Sequence, residues 1–85
     1  MANCAGTQSS QGTGQGATAY IAGKKALGHF LLNGQAQCAQ KQCDSSNCTF
    51  GVTANQYGSL EWSDPMQVGN EVRVSVSGDG VCYCP

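Results

Sequence analysis

Six cysteines in a chain of 85 residues constrain what this sequence can become more than any other feature. A domain of this size buries a limited share of its surface, so its core alone leaves only a thin margin of stability. Each disulfide adds on the order of 2–4 kcal/mol, comparable with that whole margin. The even set Cys4, Cys38, Cys43, Cys48, Cys82 and Cys84 therefore reads as three disulfides, and the chain as a secreted or extracellular protein. Met1-Ala2-Asn3 carries neither the charged nor the apolar region of a secretion signal, so the sequence reads as a mature form with an added initiator Met.

A metal centre is the competing reading of the cysteines. Zinc knuckles pair their ligands as Cys-x2-Cys or Cys-x4-Cys and repeat the unit. The closing Cys82-Tyr83-Cys84 fits no such pair, and Cys38-x4-Cys43 lacks the Cys-x2-Cys that would complete an iron–sulfur motif. No metal and no other cofactor is expected.

Charge narrows the partners. Four Lys and Arg against five Asp and Glu leave a net charge of −1, too little basic surface to neutralise phosphates or dock on anionic lipid. The longest run of large apolar residues is Phe30-Leu31-Leu32, far short of the roughly 18–20 residues that span a bilayer. A protein or a carbohydrate is the expected partner.

Along the chain, residues 1–85 read as one small domain. Residues 5–16 contain no large apolar side chain and read as a flexible Gly/Gln/Ser/Thr-rich arm pinned at Cys4. Residues 17–33 read as a helix with Tyr20, Gly23, Leu27, Phe30 and Leu31 on its buried face, Lys25 and His29 opposite, and Asn33-Gly34 as its stop. Gly23 and Gly28 weaken a helix, so a hairpin over 17–33 is the alternative.

Residues 48–84 read as antiparallel sheet. Phe50, Val52 and Ala54, then Leu60 and Trp62, then Val72, Val74 and Val76 alternate with polar neighbours. Gly69-Asn70 reads as one turn and Gly78-Asp79-Gly80 as the next. A two-residue loop there would put Tyr83 on the valine face and Cys82 and Cys84 on the other. Those two cysteines then seek Cys4 and one of the Cys38–Cys48 cluster, since neighbours two apart on a strand are too distant to bond. The predicted fold is α+β: one helix on a small antiparallel sheet, stapled by three disulfides. An all-β fold replaces it if 17–33 is a hairpin.

No constellation points to catalysis, and the chain reads as no enzyme. His29 is the single histidine and reads as solvated; oxidised cysteines leave it no thiol to activate. Asp44, Glu61, Asp64, Glu71 and Asp79 are scattered over turns and solvent-side strand positions. Trp62 and Tyr83 read first as core residues. Tyr57, in the turn Asn55-Gln56-Tyr57-Gly58, and then Trp62 are the candidate ligand contacts. The expected function is non-enzymatic surface binding to a host or partner molecule, in the manner of effectors or toxins. A pilin-like filament subunit is a second reading. An inhibitor of a secreted enzyme, presenting a loop at 39–47, is a third.

Overall fold

The computed structural model of the chain describes residues 6–40 and 48–83. Its elements run β1 (Gly6–Gly16), α1 (Ala19–Ala39), β2 (Thr49–Gly51), α2 (Ala54–Gly58), β3 (Glu61–Trp62), β4 (Met66–Val68) and β5 (Glu71–Tyr83). β5 is the spine. Along one side it pairs antiparallel with the whole of β1, from Gly6 opposite Cys82 to Gly16 opposite Val72. Along its other side β4, β3 and β2 follow one another, each antiparallel to it. Helix α1 covers one face of this five-stranded sheet. The fold is α+β as expected, and the helix at 19–39 removes the all-β alternative.

β1 corrects the reading of residues 5–16 as a flexible arm. Ser10, Gly12, Gly14 and Gly16 are buried and share the strand face that meets α1. A Cβ on Gly12 would lie 2.3 Å from both the Ala26 carbonyl oxygen and the Phe30 nitrogen. One on Gly14 would lie 2.2 Å from the Ala22 carbonyl oxygen. Strand backbone therefore rests directly on helix backbone, at a distance only glycine permits. The close packing that stabilises a core is achieved here without side chains. Ser10 completes the contact: its buried hydroxyl donates to the Phe30 carbonyl oxygen at 2.7 Å.

α1 begins where Thr18 caps it, the Thr18 hydroxyl accepting from the Ile21 N–H at 3.2 Å. It does not stop at Asn33-Gly34. Gly34 is buried within it, where a Cβ would come 2.3 Å from the Phe50 ring. This glycine makes room for an aromatic ring rather than ending the helix. The buried stripe is Ala22, Ala26, Phe30, Gly34 and Cys38, a four-residue spacing of mostly small residues. Of the expected face only Phe30 is fully buried; Leu27 and Leu31 flank the core, and Tyr20 is exposed. A partner made of bare backbone selects the helix face by smallness, not by hydrophobicity.

β5 is unbroken through Gly78-Asp79-Gly80, so the predicted second turn and final hairpin do not form. Both glycines admit side chains: a Cβ on Gly78 would meet Leu60 at 2.6 Å and one on Gly80 would meet Phe50 at 2.3 Å. Strand parity then carries through, and Val74, Val76, Gly80 and Cys82 are buried on one face. Cys82 thus lies on the valine face, contrary to the expected facing, while Tyr83 turns to the opposite face and is exposed. Cys82 bonds Cys38, a member of the expected cluster, across a Cα–Cα distance of 5.7 Å. The turn at Gly69-Asn70 forms, with Gly69 at φ 62.

Of the three expected disulfides, Cys38–Cys82 is the one seen with both partners described. Cys48 is also disulfide-bonded. Cys4, Cys43 and Cys84, and most of the 39–47 loop, lie outside the described residues. The core is completed by Phe30 and Phe50, packed edge to face with centroids 5.7 Å apart, together with Leu60 and Val76.

Candidate functional site

Trp62 lies opposite Val76 in the sheet register, which aims its side chain to the α1 side. There the indole passes over Gly23, close enough that a Cβ on that glycine would touch it at 3.7 Å. The ring is not enclosed. Trp62 keeps 48% of its surface and Tyr20, in the first turn of α1, keeps 75%. Lys24, one helical turn after Tyr20, sets its Nζ 5.3 Å from the centre of the tyrosine ring. Between these side chains lies a groove of about 370 Å³, floored by Gly23, Leu27, Pro65 and Val74. Among the described residues, Lys24 is the one charged residue lining it.

This geometry sorts the predicted contact residues. Trp62 was expected first in the core and is half exposed at the groove. Tyr57 is exposed on α2 as expected, but it is not among the groove's lining residues. Tyr20, placed by the helical wheel on the buried face, is the contact that the wheel misassigned. The signal that could have found it is the Tyr20/Lys24 pair, immediately after a Thr18 cap, on a helix whose small residues Ala22 and Ala26 already supply a face.

The other face of the sheet has a different chemistry. Hydroxyls, amides and charges there satisfy one another across β1 and β5: Ser9 donates to Asp79 at 2.8 Å, and Gln15 donates to Glu71 at 3.0 Å. Arg73 donates to Gln15 at 3.2 Å, and Thr13 and Ser75 share a hydrogen bond of 3.1 Å. A depression of about 650 Å³ takes lining from both sides of the sheet: Gln11, Thr13, Glu61 and Ser75 from this face, and Trp62, His29 and Asn33 from the α1 side. His29 is exposed, as expected, and its Nδ1–H donates to the Thr13 carbonyl oxygen. The strand thus sets the orientation of the ring.

Among the described residues no group of three His, Cys, Asp or Glu side chains converges as metal ligands would. No helix among them is long and apolar enough to cross a membrane. Comparison with family models, curated proteins and solved structures finds no match to this chain. The groove between Tyr20 and Trp62 is the candidate site.

Proposed function

We propose that this chain is a secreted, non-enzymatic binding protein that holds an apolar side chain of a partner protein between Tyr20 and Trp62. The single observation that carries the reading is the exposure of two aromatic rings on either side of an apolar groove. Aromatic anchors of this kind dominate the energetics of protein contacts. Lys24, exposed at the rim, favours an occupant with a carboxylate next to its apolar group, because opposite charges across a contact steer and select the partner. A sugar is the weaker fit, since orienting its hydroxyls takes several polar groups and the lining supplies chiefly Lys24 and Ser63. The buried Cys38–Cys82 disulfide is compatible with an extracellular location.

Selection against a random peptide-display library, with a glycan array in parallel, tests this. Trp62 is the chain's single tryptophan, so its fluorescence reports the site directly. Peptides rich in apolar–acidic pairs should emerge, perturb that fluorescence, and lose affinity at least tenfold with Tyr20→Ala or Trp62→Ala. Tyr57→Ala should bind as the wild type. Glycan binding with no selected peptide, or peptides indifferent to Tyr20→Ala and Trp62→Ala alike, would overturn the reading.

A further inference from the structure

β1 occupies the outer edge of the sheet, with β5 on one side and no strand on the other among the described residues. It is 11 residues long and contains neither a proline nor a charged residue. Such an edge is a template on which a second chain can add a strand. Its outward groups can be identified. Ser75 directs its carbonyl to the Ser63 N–H and its own N–H to the Ser63 hydroxyl, both toward β3. Thr13, opposite Ser75, therefore points its backbone groups away from β5, and so does Gln11 two residues before it.

Those outward carbonyls are occupied. Asn33 Nδ2 donates to the Gln11 carbonyl oxygen at 2.7 Å, and His29 Nδ1 donates to that of Thr13. Gln37, one further turn along α1, accepts from the Gln8 side chain. His29, Asn33 and Gln37 stand four residues apart, one polar row running beside the strand edge.

We infer that this row is an edge guard: His29 and Asn33 fill the outward carbonyls of Thr13 and Gln11 at the middle of β1 and so keep a second copy of this chain from extending the sheet. The body of α1, seated on Gly12 and Gly14, adds bulk beside the same edge. The guard does not depend on the binding groove, which lies on other residues.

Sedimentation velocity over a range of concentrations tests it, using the wild type, His29→Ala/Asn33→Ala, and that double variant with Gln11→Lys added. Alanine is the best helix former and both positions are exposed, so α1 should persist. The wild type should run as a monomer of 8.8 kDa. The double variant should associate to at least twice that mass, and a lysine on the edge strand should return it to monomer. A double variant that stays monomeric with unchanged far-UV circular dichroism would overturn the inference. Association that Gln11→Lys does not reduce would place the contact elsewhere and overturn it too. Loss of helical signal in the double variant would assign the pair to holding the fold, and the guard would again fail.

Discussion

The two sides of β5 are built by opposite means. On the β2, β3 and β4 side, Phe50 and Leu60 project from short strands and turns and fill the space beneath α1. Gly34, Gly78 and Gly80 are hollows that admit those side chains. On the β1 side only Gln8 and Ser10 project toward the helix, and at Gly12 and Gly14 the strand lies with its backbone against it. One side packs large side chains together; the other brings backbone against backbone by removing side chains. A chain with few large apolar residues can thus cover both halves of a long sheet, giving a slab of 49 × 22 × 13 Å.

The largest expected effect comes from the bond that ties the end of α1 to β5, both halves' common support. Cys38→Ala/Cys82→Ala releases a link spanning 44 residues. Chain-entropy arguments put its loss at about 4 kcal/mol. Urea unfolding of the variant checks this; a midpoint unchanged from wild type would make the link dispensable.

Next comes Gly14→Val, which separates the two modes of packing. Its Cβ would strike helix backbone that cannot swing aside, so a loss of about 3 kcal/mol or more is expected. Thermal unfolding followed by circular dichroism measures it. A near-neutral outcome would show that β1 is not held against α1.

Ser10→Ala leaves the Phe30 carbonyl without its side-chain donor and should cost about 1 kcal/mol in the same assay. At the small end, Gly28→Ala should stabilise by up to about 1 kcal/mol, because that helical glycine faces open space. The opposite signs at Gly14 and Gly28 would confirm that the glycines play two distinct parts.

The β5 side was legible where side chains carry the signal. The alternation of Val72, Val74 and Val76, the turn at Gly69-Asn70 and the α+β class all follow from patterns of large groups and turn residues. The β1 side was not legible by those rules. Gly12, Gly14 and Gly16 alternate with period two, but with no apolar side chain to mark the buried face the segment reads as a linker. Gly34, Gly78 and Gly80 failed for a related reason: in sequence a glycine that stops an element and a glycine that accommodates a neighbour's side chain are the same letter. The candidate site suffered in turn, since assigning the helix face by hydrophobicity put Tyr20 inside.

Native-state hydrogen exchange along β1 tests the central claim most directly. If the segment is a strand seated on α1 and bonded to β5, the amides of Ser10, Gly12 and Gly14 should be strongly protected. Those of Gln11 and Thr13, pointing outward, should exchange markedly faster. Uniformly fast exchange from Gly6 to Gly16 would contradict the account and return the segment to a flexible arm.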